Sequence, residues 1–324
     1  MFKNMWEKTQ VNHNIDVQII KAMISHTFPD AIVSDLQMIV GGCANINIKF
    51  TLIDSKPLLL RIYLRDKHAV YKEQKIAKLV KDSVPVPHVY IIGDFDDYRY
   101  AITEFIPGIT LRDFLLNHFD EESTSSIMYD CGKMLAAIAS YTFKAPGFFV
   151  DSLNVKNIAA EGDLQKFMIQ SLRHPNVIQQ LHTSVINEIA QIIARHADSF
   201  PDALAKNLVH GDYDPANILV IEEDGRWQIS AVVDFEFAFS GSWLWDLSNM
   251  LRYAHKMPVN FQTAFLKGIT DCGFTLPSDW RVTLHVLNLA SLLDCLTRTS
   301  IQEKPYQYQD ICELLDYIVS QLKK

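Results

Sequence analysis

Asp and Asn side chains gather in two short stretches of the chain. The first is His210-Gly211-Asp212-Tyr213-Asp214-Pro215-Ala216-Asn217, and the second is Asp234-Phe235-Glu236. Between them, apolar runs at 218–221 and 229–233 flank Glu222-Glu223-Asp224-Gly225-Arg226. An Asp-Gly between alternating apolar residues predicts a β-hairpin. Antiparallel pairing then brings Asn217 and Asp234 to one mouth, because the turn lies near their midpoint. An amide oxygen beside a carboxylate suits a hard cation such as Mg²⁺. Asp212, on the loop leading in, faces the same cation from the other side. A base, two metal ligands and room for a phosphate are what phosphoryl transfer needs: a carboxylate orients the attacking hydroxyl while the metal neutralises charge on the phosphates. The competing reading makes Asp212 and Asp234 turn or cap residues.

Other elements must hold these groups in place. The first third of the chain reads as β-rich, with strand-length apolar runs at 36–40, 46–52 and 58–64. Gly41-Gly42 and Asp54-Ser55-Lys56-Pro57 separate them. A helix is predicted over 66–82, with Ala69, Ile76 and Val80 on one face and Glu73 on that same face. Arg61 stands inside the apolar run Leu58-Leu59-Leu60-Arg61-Ile62-Tyr63. A buried cation and a buried carboxylate are each costly alone, so Arg61 and Glu73 are expected to pair. Strands at 88–93 and 98–105 follow, with a turn at 94–97. Pro107-Gly108 breaks the pattern, and the domain boundary is placed there, giving parts 1–106 and 107–324. The second part reads as helical at 111–119, 123–141, 162–171, 183–197, 246–255, 261–271, 279–299 and 308–322, with the single hairpin inside it.

LVHGDYDPANILV followed by AVVDFEFA resembles the aminoglycoside phosphotransferase and choline-kinase-like family, a branch of the protein-kinase-like fold. The resemblance implies an α+β, bilobal fold with a small β-rich nucleotide-clamping lobe and a larger, mostly helical catalytic lobe. It implies Asp212 as catalytic base and Asn217 and Asp234 as Mg²⁺ ligands, with His210 packing the loop. Gly42 and Asn45 would belong to the nucleotide loop, although Gly41-Gly42-Cys43-Ala44-Asn45 also reads as an ordinary turn. Arg61 and Glu73 match the kinase strand-lysine and helix-glutamate positions, with the departure that arginine replaces lysine. Thr103-Glu104-Phe105-Ile106-Pro107-Gly108 resembles the hinge, where the Glu104 carbonyl and the Ile106 amide would meet the purine. Asp246, in a matching segment at 241–248, is expected to cap a helix or to accept hydrogen bonds from catalytic-loop amides.

The reaction so implied moves the γ-phosphate of ATP or GTP, with Mg²⁺, to a hydroxyl of an aminoglycoside-like or other small hydroxylated acceptor. A metabolite kinase of choline, methylthioribose, homoserine or sugar type fits the same residues. Asp214 and Glu236, with Asp294 and Glu303, would make an acidic pocket for a cationic acceptor; Glu236 also reads as a solvated carboxylate, and Asp294 and Glu303 as solvent-facing. Tyr213, Trp243, Tyr253 and Tyr306 could hold a sugar or a quaternary amine. A protein kinase is disfavoured by HGD in place of HRD, DFE in place of DFG, and the short distance from Asp234 to Trp245. A catalytically silent nucleotide-binding protein is disfavoured by the complete set Arg61, Glu73, Asp212, Asn217 and Asp234.

Composition excludes other classes. The 324 residues carry 30 basic and 38 acidic side chains, a formal charge of −8, which argues against nucleic acid as a partner. The five cysteines are scattered without a CxxC, so neither a disulfide framework nor a zinc site is expected, and a reducing compartment fits. MFKNMWEKTQ has no apolar core of a signal peptide. The best apolar run, 286–296, is short and interrupted by Asn288 and Asp294. A cytoplasmic protein with no membrane partner is the expectation.

Overall fold

A computed structural model describes residues 2–7, 15–39, 45–150, 153–157 and 164–323. The first sheet contains β1 (Val33–Ile39), β2 (Asn45–Leu52), β3 (Leu58–Tyr63), β4 (Val89–Phe95) and β5 (Tyr98–Glu104), in the order β1-β2-β3-β5-β4 with every pair antiparallel. Successive strand residues point to opposite faces. One face, with Ile48, Phe50, Leu60 and Ile62, packs on helix α1 (Val17–Thr27) through Ile20, Met23 and Ile24. The sequence reading missed α1, although Asp16 caps it by accepting from Gln18 N. Tyr63 and Ala101 pack on the other face with Ala69 and Val70 of helix α2 (Ala69–Val80). Arg61 shares the Tyr63 side of β3. Strand period alone therefore aims it at α2 and Glu73.

The expected hairpin is tighter than its sequence suggests. Strands β10 (Ile218–Glu223) and β11 (Arg226–Val232) pair from Ile218↔Val232 to Glu223↔Arg226, leaving only Asp224-Gly225 in the turn. Both turn residues have positive φ (51° and 73°), as a two-residue hairpin turn requires. A short strand β6 (Ile109–Thr110) joins β10 as a third member. A further sheet, unforeseen, combines β7 (Gly147–Phe149), β8 (Val155–Asn157), β9 (Asn207–Val209) and β12 (Phe239–Gly241) in the order β8-β7-β12-β9. It ties the segment before the loop at 210–217 to the segment after Asp234.

Helices α3 (Leu111–Asn117), α4 (Glu121–Ser140), α5 (Leu164–Leu172), α6 (Pro175–Gln180), α7 (Thr183–Arg195), α8 (Leu244–Leu251), α9 (Val259–Asp271), α10 (Trp280–Thr297) and α11 (Pro305–Leu322) complete the chain. Helix α8 starts before the expected residue 246 and gives way to a 3₁₀ turn at Ala254–Lys256, ahead of Pro258. Most of the large core lies among these helices, with Met128, Leu135, Phe261, Phe265, Leu287 and Leu293 fully buried. Among the described residues no helix is long and apolar enough to cross a membrane.

Helices α4 and α9 touch backbone to backbone. A Cβ at Gly132 would lie 2.1 Å from Phe265 O, and one at Gly268 would lie 2.0 Å from Tyr129 O. Neither helix can yield without moving the wall behind the loop at 210–217, because Tyr213 donates to Cys131 O of α4 at 2.8 Å. Gly268→Ala is therefore expected to destabilise the protein by about 1–3 kcal/mol, as overpacked cores do. Urea denaturation reads this as a lower midpoint; an unchanged midpoint would contradict the close approach.

Candidate active site

The site is built around the open end of the β10–β11 hairpin. Asp214 opens a 3₁₀ turn (Pro215–Asn217) by accepting from Ala216 N at 2.8 Å. Val233 N donates to Asn217 O at 3.0 Å, so the pairing of the hairpin continues to its mouth. Asp234 follows in the left-handed region (φ 73°, ψ 59°), a strained backbone for a residue with a side chain and one often met at functional sites.

A lock fixes the loop before the hairpin. Of the two roles expected for Asp246, the helix cap is not the one observed; α8 begins two residues earlier and Asp246 sits in its first turn. Its buried carboxylate instead accepts from His210 N at 2.7 Å and Gly211 N at 2.9 Å. Burial pushes this carboxyl up to about 6, against the imidazole of His210 and both N–H groups. His210 is fully buried. Asp212 N donates to its Nδ1 at 3.3 Å, which assigns the proton to Nε2, and Nε2–H donates to Val233 O at 3.0 Å. His210 thus bridges loop and hairpin. Asn249 Nδ2 donates to Gly211 O at 3.2 Å, and Arg252 Nη2 donates to Asn249 Oδ1 at 2.6 Å.

Asp212 and Asn217 meet directly. Asn217 Nδ2 donates to Asp212 O at 2.9 Å and to Asp212 Oδ2 at 3.1 Å. Asp212 Oδ1 accepts from Lys3 Nζ at 2.8 Å, and the same ammonium lies 2.5 Å from Asp214 Oδ2. Burial raises the Asp212 carboxyl, but Lys3 outweighs it and holds the group below the usual carboxylate range. Lys3 was missed in the sequence, where its neighbours show no pattern.

Across the mouth, Arg61 and Glu73 pair at 3.4 Å, but the nearer partner of Arg61 Nη2 is Asp234 Oδ1, at 2.8 Å. Glu236 Oε2 lies 3.9 Å from Arg61 and accepts from Asn45 Nδ2 at 3.1 Å, while Arg65 Nη2 is 3.3 Å from Glu236 Oε1. Burial pushes the Glu73 carboxyl up, Arg61 opposes, and Asp234 adds to the push; the outcome is about 7. Tyr63 donates a hydrogen bond to Glu73. Burial and then Asp234 also raise Glu236, against Arg61 and Arg65. Glu104 closes β5, with its N–H bonded to His88 O at 2.8 Å, and half-buried Ile106 lies just past it. Gly42 lies outside the described residues.

Several acceptor-side expectations are corrected. Tyr213 is fully buried with its hydroxyl on Cys131 O, and Tyr253 is buried with its hydroxyl on Asp310, so neither ring offers a platform. Asp294 pairs with Arg298 on its own helix, one turn away. Glu303 is exposed.

The oxygens present fit Mg²⁺. Asn217 Oδ1 accepts no hydrogen bond among the described residues, and the Asp234 side chain remains partly open to solvent. No group of three or more His, Cys, Asp or Glu that could hold a metal occurs among the described residues. Two protein oxygens completed by phosphate and water is the usual Mg²⁺ arrangement, and no all-protein cage is required.

A family model described as "Phosphotransferase enzyme family" matches residues 35–281. The chain belongs to that family. No curated protein matches this phosphotransferase. Among solved structures, aminoglycoside phosphotransferase APH(4)-Ia is 19% identical with a TM-score of 0.71, over 94% of this chain and 99% of that one. A thermostable mutant of it in ternary complex with ADP and hygromycin B is 19% identical with a TM-score of 0.69, over 93% and 98%. The GDP and kanamycin complex of APH(2″)-IIIa is 15% identical with a TM-score of 0.70, over 93% and 98%. The α+β, protein-kinase-like fold expected from the sequence is the observed one.

The raised Asp246 carboxyl carries a pH signature. The native state holds a proton there that the unfolded chain releases near pH ~3.9. Its contribution to stability is therefore greatest below that value and is lost as pH rises to about 6. In denaturation at several pH values, the stability gap between wild type and Asp246→Asn is expected to be widest near the acid end and to narrow up to about pH 6. A gap that widens with pH would contradict the assignment.

Proposed function

We propose that this phosphotransferase moves the γ-phosphate of ATP or GTP to a hydroxyl of a small molecule. One observation carries the reading: Asp212 and Asn217 share a hydrogen bond at the mouth of the hairpin whose far strand delivers Asp234. Three oxygen-bearing side chains from separate stretches thus converge where a phosphate and a hydroxyl could meet. The related structures with ADP and hygromycin B or GDP and kanamycin support a purine nucleotide donor and a hydroxylated acceptor.

Each residue has a physical task in this reading. Asp212 orients the acceptor hydroxyl and takes its proton; Asn217, bonded to it, keeps its carboxylate turned. Asn217 Oδ1 and the Asp234 carboxylate hold Mg²⁺, which when bound neutralises charge on the β- and γ-phosphates. Arg61, kept charged by Asp234 and Glu73 against the cost of its burial, faces the α- and β-phosphates. Asn45 stands at the lip over the phosphates, and Glu104 and Ile106 offer backbone groups to the purine. Asp214 and Glu236 act through the cations they hold, Lys3 and Arg65, in place of direct acceptor contact. The first part of the chain, up to 106, clamps the nucleotide apart from its segment 2–7, which packs on residues 107–324; these carry catalysis and acceptor binding.

Asp212→Ala is expected to lower kcat by roughly 10²–10⁴-fold, the usual worth of a positioned general base. Asp234→Ala is expected to weaken Mg²⁺-nucleotide binding in calorimetry. A screen of hydroxylated compounds with both nucleotides, coupled to NADH oxidation, supplies the assay. Full turnover by Asp212→Ala would remove the base from the mechanism.

A further inference from the structure

We infer that Lys3 is a specificity-determining residue of the acceptor site, and that it restricts the acceptor to neutral or anionic hydroxy compounds by occupying the place a cationic one would take. The inference rests on the phosphotransfer reading and names its substrate class.

The ammonium is built into the site. Lys3 Nζ lies 2.8 Å from Asp212 Oδ1 and 2.5 Å from Asp214 Oδ2. Those are the two carboxylates that would otherwise attract an amino group beside the reacting hydroxyl. Burial opposes the charge on Lys3, but Asp212 and Asp214 outweigh it and keep the ammonium protonated.

The segment that carries Lys3 is anchored on both sides. Phe2 is 3% exposed, with its ring 5.2 Å from Tyr253 and 6.1 Å from Phe261. Trp6 Nε1 donates to Asp310 Oδ2 at 2.8 Å. The Glu7 carboxylate accepts from Tyr306 N at 2.7 Å and Gln307 N at 3.1 Å, at the positive end of α11. Phe2 and Lys3 both hold left-handed backbone (φ 52° and 57°), a conformation that persists only where packing over-determines it. Displacing Lys3 means giving up these contacts together.

Among the described residues, the other carboxylates expected at the acceptor pocket do not replace the pair that Lys3 neutralises. Glu236 is held by Arg65 and Asn45, Asp294 by Arg298, and Glu303 faces solvent. Arg252 adds a second buried cation nearby, bonded only to the neutral Asn249, Asn288 and Ser291 among the described residues. A polycation must therefore evict Lys3 or lie beside it against like-charge repulsion. A hydroxyl, carboxylate or phosphate on the acceptor instead gains a charged donor.

The test uses the full chain, Lys3→Met and Lys3→Arg, each with Mg²⁺ and AMP-PNP. Kanamycin serves as the cationic probe, and its binding is measured by calorimetry. Lys3→Met is expected to bind kanamycin at least ~10-fold more tightly than wild type, and Lys3→Arg to stay as weak as wild type. Turnover screens of wild type are expected to yield only neutral or anionic acceptors. Equal kanamycin binding by wild type and Lys3→Met, whether tight or absent, overturns the inference. So does a cationic compound turned over by wild type, or faster turnover of every acceptor by Lys3→Met, which would make the segment an inhibitory strap. Failure of wild type to bind Mg²⁺-AMP-PNP would sink the phosphotransfer reading itself; intact nucleotide binding beside any of the other adverse results sinks this inference alone.

Discussion

Carboxylates crowd the mouth of the β10–β11 hairpin, and the rest of the site answers to their mutual repulsion. Five of them (Glu73, Asp212, Asp214, Asp234 and Glu236) touch Lys3, Arg61 or Arg65. Five carboxyl groups share three cations, so acid outnumbers base at these contacts. The raised Glu73 and Glu236 carboxyls are the local sign of that excess. Such an arrangement is costly in a folded chain unless something external relieves it. A divalent ion at Asn217 and Asp234 would do so at the point where phosphate charge must also be neutralised.

The excess divides into two compartments. Lys3 serves Asp212 and Asp214, on the side the proposed reaction gives to the acceptor; Arg61 and Arg65 serve Glu73, Asp234 and Glu236, on the side it gives to the nucleotide. Asn217 lies between them, with its amide on Asp212 and its carbonyl oxygen free for a metal. Rigidity comes from elsewhere. Asp246 holds the His210 and Gly211 amides, His210 reaches Val233, and the α4–α9 contact supports Tyr213 from behind. Asp212 and Asn217 are thus mounted on a loop that has few ways to move.

What was legible in the sequence had short range or strong local chemistry. Asp224-Gly225 announced the hairpin, and the hairpin alone brought Asn217 and Asp234 together. Arg61 stood out as the one charge in an apolar run, and strand alternation aimed it at α2. The reading ended where contacts are long-range. Lys3 reaches Asp212 from the far end of the chain, and its own neighbours are unremarkable in type. Strands of three residues in the β8-β7-β12-β9 sheet are too short to show a period. Asp246 read equally as a cap, because Asp commonly starts helices, or as an acceptor for loop amides, and only the fold brings it to the amides of that distant loop. Tyr213 and Tyr253 looked available for stacking because a sequence does not reveal which side of a loop faces the core.

The most direct measurement is a crystal structure of the protein with Mg²⁺ and AMP-PNP. The account predicts that Asn217 Oδ1 and the Asp234 carboxylate coordinate the metal while Asp212 stays outside its coordination sphere, beside the γ-phosphate. A metal held by other side chains, with Asp234 still engaged only with Arg61, would contradict it.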